Sequence, residues 1–156
     1  MAEVKMEKYY QAYDKRYQQI HNLKLQWSSD VVTPILQELT VQFGIRKTDK
    51  ILEIGCGEGR DALWLLEQGY DILATDVSKE AISYCKKKNS KFSHLFFQLD
   101  VCEERLPQTF KFIYSISVIH MLVNQEDRNR FLTFIRDHLD EDGYGLILTM
   151  GDGEYE

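Results

Sequence analysis

The chain carries no surplus of positive charge: 19 Lys and Arg stand against 25 Asp and Glu, for a formal net charge of −6. That balance excludes the broad basic footprint of a nucleic-acid binder and favours a small, neutral-to-cationic partner. Cysteine is scarce, and Cys56, Cys85 and Cys102 are odd in number with no C-x-x-C spacing. Neither a disulfide framework nor a zinc site is implied, and a reducing, cytoplasmic setting is expected. No apolar run approaches the roughly 18–20 residues of a membrane span, and no signal-type apolar stretch follows the charged N-terminus. A soluble, unprocessed protein without a membrane partner is expected. Internal repeats and low-complexity segments are also missing. With 156 residues, 44% of them hydrophobic, the chain can bury the core of one domain and has no room for a second.

What is present centres on Lys50 to Asp61, an apolar strand running through a glycine-rich turn into a helix. Ile51, Leu52 and Ile54 are strand formers in a short apolar run, as in a strand buried on both faces of a parallel sheet. Gly55, Gly57 and Gly59 fall on alternate positions, where a missing Cβ lets a ligand approach the backbone closely. The helix that follows, Arg60 to Gln68, points free N–H groups at the occupant of that turn and favours a small anionic group there. A dinucleotide-binding turn reads G-x-G-x-x-G and needs its third glycine for helix packing, but Arg60 holds that place.

Ahead of this stretch, Tyr9, Tyr13, Tyr17 and Ile20 recur at helical spacing within 3–20, an amphipathic helix whose tyrosine stripe either packs on the core or covers a ligand. Trp27 follows in a polar linker. Thr33-Pro34 has the form of an N-cap with proline in the first helical turn, opening a helix to Phe43. Further strands are expected over 71–75, 95–99, 112–118 and 146–150. Ser78 is placed to cap a helix to Lys88, and Asn124 or Asp127 one that carries Phe131, Phe134, Ile135 and Leu139 on one face. Strands alternating with helices over short connections predict an α/β, doubly wound, mostly parallel sheet with right-handed crossovers. Its ligand then lies beyond the carboxyl ends of the strands, where the glycine turn, Asp76, Asp100 and 115–120 all converge. The expected division is a helical cap over 1–45 and a ligand-binding domain over 46–156.

The pattern acidic-x-G-x-G-x-G, with Glu53 two residues before Gly55, resembles the first motif of the class I S-adenosylmethionine-dependent methyltransferases. The resemblance covers Lys50 to Met150 and, through Gly-Arg-Asp-Ala after the glycines, leans to the small-molecule branch related to thiopurine and tellurite methyltransferases. It implies a Rossmann-like sheet of order 3-2-1-4-5, S-adenosyl-L-methionine as cofactor, and methyl transfer to a small-molecule acceptor by in-line displacement. It further implies that Gly55, Cys56, Gly57 and Gly59 cradle the cofactor and that Glu53 reaches its methionine ammonium. Arg60 is placed for its carboxylate, Asp76 with Val77 for the ribose, and Asp100 with Val101 for the adenine. Ser115, Ile116 and Ser117 supply backbone contacts to the methionine portion. Tyr17, Trp27, His120 and Met121 are placed around the acceptor, with His120 the candidate proton acceptor. Cys56, at a helix N-terminus, stands where a thiolate is favoured. No metal site is expected.

Members of that family usually carry an Asp near the start of the fourth strand, where this chain has Phe112-Ile113-Tyr114. They also complete the sheet with two further strands, for which the six residues after Met150 leave no room. The expectation is therefore a truncated form of a longer protein, or a fifth-strand edge covered by another chain, a homodimer included. Two other readings stay open. A nicotinamide oxidoreductase shares Gly55, Gly57 and Asp76, and a non-catalytic cofactor-binding domain would share the whole motif.

Overall fold

The computed structural model describes residues 6–150. Its strands β1 (Lys50–Ile54), β2 (Asp71–Asp76), β3 (Phe96–Gln98), β4 (Phe110–Ile116) and β5 (Leu139–Leu148) form one sheet. Their order is β3-β2-β1-β4-β5 and every neighbouring pair is parallel. Helices α1 (Tyr13–Asn22), α2 (Pro34–Gln42), α3 (Arg60–Glu67), α4 (Lys79–Lys88) and α5 (Gln125–His138) complete the fold, and α3, α4 and α5 make the crossovers. The order reverses at β1, which lies between β2 and β4, so the ligand crevice predicted for a doubly wound sheet opens beside its carboxyl end.

The pleat sorts the apolar residues into two cores. Ile51, Ile72, Ala74, Phe96, Phe112 and Tyr114 face α2, α3 and α4, meeting Leu36, Ala62, Leu65 and Cys85. Leu52, Ile54 and Ile113 face the opposite way, onto Phe131, Phe134 and Ile135 of α5 and onto Tyr10. Burial on both sides explains why β1, after the exposed Lys50, is apolar except for Glu53.

Several local expectations change. The tyrosine stripe does not enter the core: α1 buries none of its residues, and the fully packed ring is Tyr10, in a 3-10 turn (Tyr9–Ala12) before it. The part of the expected first helix before residue 6 lies outside the described residues. Thr33 stands at the N-cap of α2 but makes no capping bond, because its N–H and hydroxyl both go to Asp61, at 2.9 and 2.8 Å. Asn124 does cap α5, its Oδ1 accepting Asp127 N–H at 2.8 Å. β5 begins at Leu139 rather than 146, so Leu139 belongs to the strand and not to α5. Gly143 is no break there. It sits where the register with β4 shifts, and a Cβ would stand 3.0–3.1 Å from the carbonyls of Asp140 and Lys111. β3 is only Phe96–Gln98. Among the described residues β5 forms an edge, with Ile147 and Leu148 more than a third exposed and Tyr144 stacked on Phe43.

Glu53 is the exception inside the sheet. Its carboxyl is buried at 3% exposure and accepts the Tyr114 hydroxyl at 2.9 Å. Burial, then the nearby Asp61 carboxylate, pushes it up to about 8 against a partial offset from Tyr114. The native state thus holds a proton on Glu53 that the unfolded chain, with an ordinary carboxyl near 4.5, has released. The stability this lends is complete below the unfolded value and is lost as pH rises through about 8. In urea unfolding, Glu53→Gln should therefore match the parent near the acid end of that window and exceed it at the alkaline end. The gap should open by up to about 1.4 kcal/mol per pH unit, and parallel pH profiles would show that Glu53 keeps its charge.

Candidate functional site

At the carboxyl end of β1 the chain must reverse direction against β2. The N–H groups of Gly55 and Cys56 both donate to Thr75 O at 2.8 Å, fastening the turn to the neighbouring strand. Gly55 has φ +81°, and a Cβ there would lie 2.2 Å from Val118 Cγ2, so the turn and the segment after β4 meet with no space for a side chain. Gly57, at φ +54°, turns its free side toward the Tyr17 hydroxyl, 2.8 Å from where a Cβ would stand.

The turn is one wall of a cavity of about 310 Å³. Carboxylates ring it at the strand ends. Asp76 ends β2 and is buried; its Oδ2 accepts Gly57 N–H at 2.9 Å and its Oδ1 accepts Ser78 N–H at 2.8 Å. Burial pushes this carboxyl upward, and those backbone donors pull against it. Asp100, after β3, accepts the Tyr10 hydroxyl at 3.0 and 3.2 Å, Gln11 Nε2 at 3.2 Å and Cys102 N–H at 3.0 Å. Burial and Asp100 push the Tyr10 phenol upward, so it stays a donor. Glu53 reaches the cavity from below. The guanidinium of Arg60 is already engaged, by Asp61 at 3.1 and 3.2 Å and by the Thr33 hydroxyl at 2.9 Å.

The N-terminal segment forms the roof. Lys8 pairs with Asp127 at the start of α5, and Asp14 Oδ1 accepts Ser78 Oγ–H and Glu80 N–H, both at 2.8 Å, at the start of α4. A carboxylate at that helix end also meets the positive pole of the dipole. Tyr13, Tyr17 and Trp27 then come together over the cavity, with Trp27 5.5 Å from the Tyr17 ring and 6.2 Å from Tyr13.

Of the residues singled out in the sequence, Glu53, Gly55, Cys56, Gly57, Arg60, Asp76, Val77, Asp100, Val101, Ile116, Ser117, Tyr17, Trp27 and Met121 all line this cavity. Three do not. Ser115 is buried and donates its hydroxyl to Ile54 O at 2.8 Å, bracing β4 against β1. Gly59 faces the sheet side, where a Cβ would meet Cys85 Sγ at 3.0 Å and the Phe96 ring at 3.2 Å, so its role is packing. His120 is exposed, with Thr149 Oγ1 at 3.4 Å as its contact, because the 3-10 turn Ile119–Met121 directs Met121 inward and His120 outward. Cys56 is held as a thiol: its hydrogen bond with Cys85, then burial, pushes it well up. Sequence reasoning missed Tyr10, Glu58 and Asp61. An acid inside the glycine turn and one just after it were the available signals for the last two.

Residues 51–143 match the methyltransferase domain family. The chain is 29% identical over 103 residues to the "Probable S-adenosyl-L-methionine-dependent methyltransferase TehB" of Haemophilus influenzae, a span of 64% of this chain and 35% of that protein. It is 26% identical over 121 residues to the ubiquinone biosynthesis O-methyltransferase of Rickettsia akari, covering 74% of this chain and 46% of that one. The chain thus spans between a third and a half of the length of these relatives. In fold it is similar to a TehB-like methyltransferase from Corynebacterium glutamicum, with a TM-score of 0.63, 24% identity, and coverage of 90% of this chain and 72% of that one. It is also similar to the glycopeptide N-methyltransferase MtfA, with a TM-score of 0.67, 20% identity, and coverage of 81% and 56%. Crystal structures of MtfA include complexes with S-adenosylmethionine, S-adenosylhomocysteine and sinefungin. With the matched segment running from β1 into β5 and spanning more than half of the sequence, this chain belongs to the methyltransferase domain family.

Proposed function

We propose that the protein binds S-adenosyl-L-methionine in the cavity beside β1 and transfers its methyl group to a small, neutral or cationic acceptor. The observation that carries this reading is the convergence of the glycine turn with Glu53, Asp76 and Asp100 on one cavity. The acceptor set fits the cofactor: Asp76 and Asp100 for two ribose hydroxyls and an exocyclic amine, Glu53 for an ammonium whose charge would draw off the proton Glu53 otherwise holds, and a turn whose backbone a ligand can approach. When bound, the cofactor supplies a methyl group on a sulfonium centre, open to in-line displacement by a nucleophile.

The protein's share is then alignment and exclusion of water rather than covalent help. Asp76, kept in place by the N–H groups of Gly57 and Ser78, would hold the ribose. Asp100 and Val101 would take the adenine, with Tyr10 and Gln11 sharing the carboxylate. Glu53 would face the methionine ammonium, and Gly55, Cys56, Gly57, Ile116 and Ser117 would contact the methionine chain. Arg60, turned to Asp61 and Thr33, retains part of its surface for the methionine carboxylate. Tyr13, Tyr17, Trp27 and Met121 would surround the acceptor. A negatively charged acceptor is disfavoured, because the cavity wall carries carboxylates and its one lining cation among the described residues, Arg60, is paired.

Thermal shifts with S-adenosylhomocysteine and with NAD separate this reading from a nicotinamide enzyme, since a ligand that binds only the native state raises its melting temperature. Release of S-adenosylhomocysteine in a screen of small acceptors separates it from a non-catalytic binding domain. Asp76→Ala should weaken S-adenosylhomocysteine binding by about 1.5–3 kcal/mol in calorimetry, and unchanged affinity would remove the ribose assignment. Gly57→Val should abolish binding while far-UV circular dichroism stays near the parent's, because its side chain would enter the space beside the Tyr17 hydroxyl. Left-handed backbone at that residue adds about 1–2 kcal/mol of destabilisation. Normal binding by this variant would show that the turn is not the site.

A further inference from the structure

The stretch between α1 and α2, residues 23–33, has no regular secondary structure, yet Trp27 and Ser28 within it line the cavity. Burial does not anchor it, since Trp27 is 47% exposed. Asp61 holds its far end through Thr33, and one side chain in the glycine turn holds its middle. The Glu58 carboxylate accepts Trp27 N–H at 2.7 Å, Ser28 N–H at 2.9 Å and Ser28 Oγ–H at 3.0 Å, and it lies 2.9 Å from His21 Nε2. The other nitrogen of that imidazole, Nδ1, lies 2.9 Å from Glu80 Oε1 on α4, and the ring stacks on Tyr84 at 4.2 Å. A carboxylate offers about four lone-pair directions, so all of those on Glu58 are taken by the roof. Burial alone would raise this carboxyl; the Ser28 and Trp27 N–H groups and His21 outweigh it and hold the group below the ordinary range.

Glu58 therefore borders the cavity without a free valence for a ligand. Its backbone lies between Gly57 and Gly59, whose φ values of +54° and +83° turn the chain so that the carboxylate points at the roof. We propose that Glu58 is a positioning residue that couples the cofactor turn to the acceptor wall, so that a shift or stiffening of the turn on cofactor binding is passed to Trp27 and Ser28. Occupancy of the turn then tightens the acceptor wall, and the wall's order follows the cofactor's binding. This rests on the cofactor reading above.

The test uses Trp27 as the reporter and S-adenosylhomocysteine as the probe. The chain has two tryptophans, and Trp64 on α3 packs against the core away from the cavity, so Trp64→Phe leaves Trp27 as the sole tryptophan, read with excitation beyond the tyrosine band. In that parent, the probe should shift Trp27 emission and slow tryptic cleavage after Lys24. Adding Glu58→Ala should leave saturable calorimetric binding, weakened by no more than about tenfold, while the emission response falls at least about fourfold and cleavage becomes insensitive to the probe. Glu58→Gln should lie between, because an amide oxygen keeps about two of the four acceptor directions. His21→Ala and Ser28→Ala, outside the turn, remove donors singly and should each reduce the response by about twofold, which keeps the test open if Glu58→Ala fails to fold. A full emission response and full protection in Glu58→Ala, or in both donor variants, overturns the coupling while leaving the cofactor reading intact. Absence of calorimetric binding in the parent overturns both.

Discussion

The interaction on which the rest depends is the tie between the turn after β1 and the end of β2. Two successive N–H groups share one carbonyl, Thr75 O, and the next free N–H, on Gly57, goes to the Asp76 carboxylate. Three donors that would otherwise face the cavity are thereby spoken for, and the turn holds its left-handed glycines without help from a ligand. Val118 then packs into the hollow at Gly55, which fixes the end of β4 against the same turn. The position of every cavity wall follows from these contacts and from the parallel order, which brings all carboxyl ends to one rim.

That rim concentrates negative charge in a place that water reaches poorly. The fold manages it in different ways at each carboxylate. Asp76 is met by backbone donors, Asp100 by Tyr10 and Gln11, Asp61 by Arg60 and Thr33, and Glu58 by the roof. Glu53 receives only the Tyr114 hydroxyl, and burial pushes it up to about 8, toward the protonated state. A group of that kind in a ligand cavity is a sign of work done at the site, since a packed apolar residue would serve the sheet better.

The sheet and its turn were legible because their signals are local. A short apolar run around Glu53, alternating glycines and an acid at the end of the next strand report on neighbours a few residues away, and periodicity separates strand from helix. β5 was placed late because Gly143 looks like a break in a string of letters, whereas in space it sits at a register shift against β4, close to the Lys111 carbonyl. The roof was not legible. Its bonds join polar side chains far apart in sequence, Lys8 with Asp127, Tyr10 with Asp100, His21 with Glu58, and no spacing rule links such pairs. Choosing His120 for the site followed from its place after β4; the histidine that meets the turn is His21, on a helix that looked only amphipathic.

The long reach of those roof contacts also orders the assembly of the molecule in time. Residues 8–22 are synthesised before the partners they dock on, which come 90 residues later for Tyr10 and 119 for Lys8. Contacts of such separation form after the local βαβ units, because closing a long loop is rewarded only once both ends have surfaces to meet. The roof contacts of Lys8 and Tyr10 are therefore among the costliest loop closures in the fold, made onto a sheet and a glycine turn whose own contacts span shorter stretches. The same long-range contacts that complete the fold also close the crevice, so local fraying of the roof would open the cavity while the sheet and its turn stay intact.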